Sequence, residues 1–418
     1  MRAWLPRKPR FGPLQPWQRN QYAVVASVGL AFFAFELSNP FIPLYIRQLG
    51  VDDLAEAAFW AGLISGITPL LAALMGPIWG SVADRYGRKS MVLRALVCIG
   101  VAQLLTGFVP NVYLLLALRT IMGIFAGFTS MSLALAISVS PRERMSQTIS
   151  LVQAAQIAPS AIGPLIGGPL SDLLGQRATF MITGVLLLVP VALISVVLKE
   201  SADAPSPERP TQKAPARGGS MLGLMMLPGF AAAIAILFLT RFTERALQPI
   251  VPLYLIELQT PAALLATITG VAVSGGAIAA TCSSLLYGRW ARPETIGRVL
   301  VTALAGAAVC AALFGLARGW PEVIGLRLVL GLLAGGTISL AYTMGARLAP
   351  PERAATTMSL LASWGMLGTA IAPILSGMIG QISLRAVFVT TSVAYLLAAM
   401  LVAAPAIRSA RLRRAAAR

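Results

Sequence analysis

The sequence contains no histidine and only three cysteines among its 418 residues. The first absence removes imidazole proton relays and histidine metal sites outright. The cysteines, Cys98, Cys282 and Cys310, are odd in number, fall inside apolar runs and lack any metal-ligand spacing, so they read as packing residues. Charge is scarce too: Asp, Glu, Lys and Arg make up 11% of the chain, with 15 acidic residues against 33 basic ones. There is no HExxH pair, no Walker loop with a phosphate-binding lysine and no nucleophile beside a base. These gaps leave no machinery for an enzyme and call for no cofactor. With no nucleotide site, any transport has to run on an ion gradient.

What fills the chain instead is hydrocarbon. Hydrophobic residues account for 57% of it and the mean hydropathy is +0.78, which excludes an ordinary soluble globule. A membrane-crossing helix needs about 20 apolar residues. Twelve such runs are centred near residues 33, 68, 100, 125, 158, 188, 242, 274, 307, 334, 367 and 395. The first run carries Glu36, Pro40 and Pro43 and flows into a further span, so no cleavable signal is expected. A net charge of +18 would suggest nucleic acid if the cations shared one soluble face. They do not. With both termini cytoplasmic, about 25 of the 33 Lys and Arg fall in cytoplasmic segments, four in outer loops (Arg47, Arg177, Arg318, Arg385) and four within spans. This positive-inside bias fits a multi-pass membrane protein, expected in the inner (plasma) membrane, with its basic ends, Arg2 to Arg19 and Arg408 to Arg418, against anionic headgroups. The expected partner is the lipid bilayer, with no nucleic acid, and the chain is read as a monomer.

The organisation is a cytoplasmic tail (1–20), a six-helix bundle (21–198), a linker (199–220), a second six-helix bundle (221–404) and a basic cytoplasmic tail (405–418). The linker, ESADAPSPERPTQKAPARGGS, is rich in Pro, Ser and charge and reads as a flexible connection. The two bundles look like copies. At an offset of 208, Arg119, Gly123 and Gly127 align with Arg327, Gly331 and Gly335, and Arg177 and Phe180 with Arg385 and Phe388. At 209, PFIPLY from Pro40 aligns with PIVPLY from Pro249, Arg144 with Arg353, and Pro164 with Pro373. The expected fold is therefore all-α: twelve transmembrane helices in two pseudo-symmetric six-helix bundles, with cargo near the midplane between them.

Between the second and third runs lies GSVADRYGRK, Gly80 to Lys89. Gly80 and Gly87 suit a tight turn, Arg85, Arg88 and Lys89 suit the cytoplasmic face, and Asp84 needs a cationic or helix-terminal partner. The stretch resembles the loop signature of the major facilitator superfamily, departing from it only in Val82 for a leucine. The resemblance implies a gate, in which Asp84 and Arg88 make switchable contacts that hold the halves together on the cytoplasmic side. The copy in the second half, Gly288 to Arg298, puts Arg292 where Asp84 would stand, so such a gate is asymmetric.

Two carboxylates sit well inside spans, Glu36 and Glu244, at a depth where a charge costs several kcal/mol unless it is neutralised, paired or hydrated. Glu36, about one helical turn before Pro40, is the candidate for proton coupling, against an ion pair with an arginine such as Arg119. Glu244, the second candidate for proton coupling, lies between Arg241 and Arg245, and Arg241 three residues earlier suits local pairing as the alternative. Arg119 and Arg327 are intramembrane cations that need a carboxylate, helix carbonyls or an anionic cargo. GPLIGG, with Gly163, Pro164, Gly167 and Gly168, suits close helix packing; it resembles the antiporter signature of the twelve-span drug:proton antiporters, multidrug efflux transporters of the same superfamily. In that family a first-span acid and the Arg119–Gly123 pattern are linked to proton movement. The resemblance therefore implies export of amphipathic compounds or drugs in exchange for protons. Phe35, Asn39, Arg241, Gln248, Tyr254 and Trp364 are the candidate cavity residues. A proton-coupled importer or sugar exporter would share the architecture, though Asn and Gln are scarce in the spans; a non-transporting membrane sensor is the alternative from another class.

Overall fold

The computed structural model describes residues 15–198, 230–290, 295–346 and 354–416, and among them there is no β-strand. The linker, the first fourteen residues and Arg292 lie outside the described residues, and so does the side chain of Asp84. Ten stretches are long and apolar enough to cross a membrane. One of them, Met145–Val197, folds back at Gly175 (φ 83°) and so makes two crossings. The seventh crossing, Phe230–Ala246 continued by Val251–Glu257, brings the number of spans to twelve.

Breaks in the helices repeat from one half to the other, and the sequence dictates each. The first span runs as Pro16–Ser38, a 3-10 turn Asn39–Phe41 and Ile42–Gln48; the seventh breaks at 247–250. In both, a proline without an N–H opens the short second helix. The fourth span breaks between Val112–Ile124 and Phe128–Ser138, where Gly127 adopts a φ of 118°, and the tenth between Trp320–Ala334 and Thr337–Ala346. Tyr45 donates to the Thr106 carbonyl at 2.7 Å and packs on Phe180 with ring centroids 4.9 Å apart. Tyr254, its counterpart, donates to the Ala317 carbonyl at 3.2 Å and packs on Phe388 at 4.8 Å. Each hydroxyl satisfies a carbonyl at or just past a helix end that hydrocarbon could not.

Within the first half the first span packs on the fifth and sixth, the second on the fourth, and the third on the sixth. Within the second half the seventh packs on the eleventh and twelfth, the eighth on the tenth, and the ninth on the twelfth. Two extensive seams join the halves: the second span (Leu54–Tyr86) against the eleventh (Ala354–Gly380), and the fifth (145–174) against the eighth (Leu265–Trp290). Their closest approaches involve Gly62, Gly66 and Gly377 in one seam and Pro164, Gly168 and Gly270 in the other. All of these lie toward the end bearing the odd-numbered loops, so that end is shut.

The twelfth helix runs from Leu384 to Ala416.

Candidate functional site

Phe35 and Glu36 are neighbours on the first span, and successive residues on a helix point about 100° apart. Phe35 lines an apolar cavity of about 800 Å³ together with Phe32, Thr68, Met122, Gln156 and Met366. Glu36 lines a smaller polar pocket of about 190 Å³ on the side of the second half, with Glu244, Arg245, Gln248, Arg327 and Tyr395. One helical turn therefore presents a greasy surface to one chamber and a carboxylate to the other.

The GPLIGG glycines make this geometry possible. A Cβ on Gly163 would lie 2.7 Å from the Cβ of Glu36, and one on Gly167 would collide with the carbonyl oxygen of Leu37. Both glycines admit the first span. Gly168 turns the other way, where a Cβ would lie 2.6 Å from the Ala266 carbonyl oxygen of the eighth span. The motif thus serves two interfaces, one inside the first half and one between the halves.

Among the described residues no ion pair within 4 Å involves Glu36 or Arg119. The field of Arg245, on the seventh span, reaches Glu36. Arg119 is 1% exposed, with Nε and Nη2 lacking hydrogen-bond partners. Its guanidinium carbon lies 5.9 Å from the Phe35 ring centroid and 5.8 Å from that of Phe180, a cation–π arrangement in place of a counter-ion. Arg327 occupies the equivalent place in the second half but faces the polar pocket, its Nε also unpartnered. Arg241 pairs locally with Glu244 at 3.1 Å, both side chains partly exposed, and Arg245 donates to the Gln248 side chain at 3.1 Å.

Four expected cavity residues line neither chamber: Arg241, in its local pair with Glu244, and three more. Tyr254 is fully buried as the structural anchor described above, because it duplicates Tyr45. Trp364 is partly buried against the main apolar core, while Ser363, Met366 and Leu367 on the same helix line the apolar cavity. Asn39 opens the 3-10 turn of the first span and lines neither chamber.

The loop from Gly80 to Lys89 is less of a loop than its composition suggests. Helix continues through Tyr86, Gly87 alone turns the chain with a φ of 89°, and the third span starts at Arg88. Arg85 is exposed. Arg88 donates to the Ala134 carbonyl of the fourth span at 3.2 Å, and Lys89 to the carbonyls of Ser195 and Leu198 at the end of the sixth. These contacts tie the first half to itself. Nearby, the Arg94 guanidinium carbon sits 3.4 Å from the Trp79 ring centroid, and Trp79 donates from Nε1 to the Ile124 carbonyl at 2.6 Å. Its one signal in the sequence is an arginine about one turn into the apolar run that starts at Met91.

A pseudo-symmetric twelve-span bundle with a chamber between its halves has a counterpart among known families. The family model described as Major Facilitator Superfamily matches residues 24–296 and 233–417. The chain belongs to the Major Facilitator Superfamily. It is a multi-pass membrane transporter and not an enzyme. It is 29% identical over 377 residues to the multidrug resistance protein MdtG of Citrobacter koseri, covering 90% of this chain and 92% of that one. To the multi-drug resistance efflux pump PmrA homolog of Lactococcus lactis it is 28% identical over 384 residues, again 90% and 92%. Among solved structures, a bacterial homolog of the human lysosomal transporter Spinster, inward-facing and occupied, superposes with a TM-score of 0.76 at 17% identity. That match covers 93% of this chain and 97% of the other. A D-xylose–proton symporter superposes with a TM-score of 0.69 at 14% identity, covering 91% and 96%. At such identities these structures speak for the fold alone.

Proposed function

We propose that this transporter exports amphipathic organic compounds across the inner membrane in exchange for protons. The observation that carries the reading is the division at Phe35 and Glu36: an apolar chamber of about 800 Å³ and a polar pocket share one turn of the first span. The chamber is large enough for a drug-sized molecule. Its walls are apolar with few fixed hydrogen-bonding groups, which suits loose recognition of many greasy compounds and speaks against a sugar.

With both termini cytoplasmic, the shut end faces outward and the chamber opens inward. Cargo enters Phe35's chamber from the cytoplasm. Glu36, free of any close ion pair, exchanges its proton with the pocket water that reaches it. Deprotonated, it is attracted by Arg245 of the other half, and protonation removes that attraction. Rocking of the halves carries both chambers to the other face, and a proton returns on Glu36 as cargo leaves. The efflux names of the relatives support the direction, and GPLIGG fits it.

The test is transport in proteoliposomes with an imposed pH gradient, comparing a fluorescent amphipathic dye with radiolabelled xylose. Proton-driven movement of the dye, with none of the sugar, is expected. Sugar flux, or dye movement indifferent to the gradient, contradicts the reading.

A further inference from the structure

Asp172 has no part in the scheme above, and no motif drew attention to it. It stands on the fifth span three residues before the Gly175 turn, one helical turn past Gly168. Its Oδ1 accepts from the backbone N–H of Ala266 at 3.0 Å and its Oδ2 from that of Thr267 at 2.7 Å. Both donors belong to the other half, in the first turn of the eighth span. There the N–H groups have no partner within their own helix, and the helix dipole presents its positive end. A carboxylate that accepts two such donors makes charge-assisted bonds, roughly twice as strong as neutral ones.

The approach is arranged by neighbouring residues. Gly168 lets the two backbones meet, since a Cβ there would lie 2.8 Å from Cα of Thr267. Asp172, one turn on, is then held over the helix start. The cap exists only while the halves touch at this end, and separating them returns the carboxylate and both N–H groups to water. The duplicate seam lacks the device. At the 209 offset Asp172 corresponds to Gln381, which is exposed, and the second span is capped from its own chain by Asp53, which accepts from the N–H of Glu56 at 3.0 Å.

The geometry points to Asp172 as a positioning residue of the transport cycle: an interdomain latch that holds the odd-loop end shut and sets how often the carrier stands open at the opposite end. It touches neither cargo nor the Glu36 pocket. The inference therefore stands or falls separately from the proposed proton coupling.

The experiment is double electron–electron resonance on full-length protein in nanodiscs, without cargo. Labels go on Asn111→Cys and Arg318→Cys, exposed odd-loop sites on opposite halves, in a background with Cys98, Cys282 and Cys310 replaced by Ala. Asp172→Asn, which keeps the shape but loses the charge and one acceptor, is expected to raise the ratio of long to short distances about tenfold, the loss of one to two charge-assisted bonds. Asp172→Ala goes further, and Asp172→Glu restores most of the short-distance population. In transport the Asn variant shows a higher KM for cargo offered at the even-loop end. Distance distributions unchanged in well-folded Asn and Ala variants overturn the latch. So does a loss of folded protein in both variants with a normal distribution in what remains, since that is the behaviour of a fixed structural cap.

Discussion

Two glycines from two different motifs separate packing from gating. At Gly167 an added methyl would collide with the Leu37 carbonyl oxygen and lie 2.9 Å from the Phe41 ring, so the first span has to move. At Gly80 the same methyl meets nothing within 4 Å. Overpacking of a tight seam costs about 1–3 kcal/mol, whereas Gly→Ala within an open helix contributes about 0.5–1 kcal/mol of stability. For a unit the size of one six-helix half, each kcal/mol moves the melting temperature by about 2–4 °C. Gly167→Ala is therefore expected to melt about 2–12 °C lower, and Gly80→Ala at or slightly above wild type. The assay is thermal unfolding followed by tryptophan fluorescence in detergent, with dye transport measured alongside. Gly167→Ala should also impair transport, because the displaced turn carries Glu36. Gly80→Ala should lower transport without loss of stability, as expected for a residue needed when the opposite end closes. A Gly167→Ala variant with wild-type melting would refute the packing argument.

Arg119→Met removes a fully buried cation whose Nε and Nη2 have no partners; the variant should melt no lower than wild type yet lose proton-coupled transport, checked by melting and flux on one preparation. Glu244→Gln breaks only a partly exposed local pair with Arg241, so it should change stability by less than about 1 kcal/mol and impair transport less than Glu36→Gln. Gln103→Ala should lower stability by about 2–4 kcal/mol, because Gln103 donates to Ser38 at 2.6 Å and Thr183 at 3.2 Å and so joins three spans in a buried network; chemical denaturation of purified protein reads this. Tyr254→Phe should lower stability while sparing cargo affinity, as measured by dye binding.

The twelve spans and the duplication were legible because hydropathy and internal repeats are local properties of a chain. So was the depth of Glu36, since a lone acid in hydrocarbon is conspicuous. Side-chain facing was not. In a helix with lipid on one side and protein on the other, both faces are apolar, so the period that reveals a core in soluble helices is weak. This is why sequence alone suggests a cavity wall for Tyr254 and Trp364. The repeat held a clue to the first, since Tyr254 aligns with Tyr45 and each has a carbonyl at or just past a helix end and a phenylalanine as partners. Contacts between halves were invisible for a different reason. Nothing in the sequence around Asp172 points to Ala266 and Thr267, some 95 residues away, which only the fold brings to it.

The central claim is that Glu36 moves protons against cargo. It is tested most directly by loading proteoliposomes with a pH-sensitive dye, adding an amphipathic drug, and recording proton release for wild type and Glu36→Gln. The account predicts drug-driven release in the wild type and none in the variant, which should still bind drug in its apolar chamber. Undiminished proton release from Glu36→Gln would contradict it.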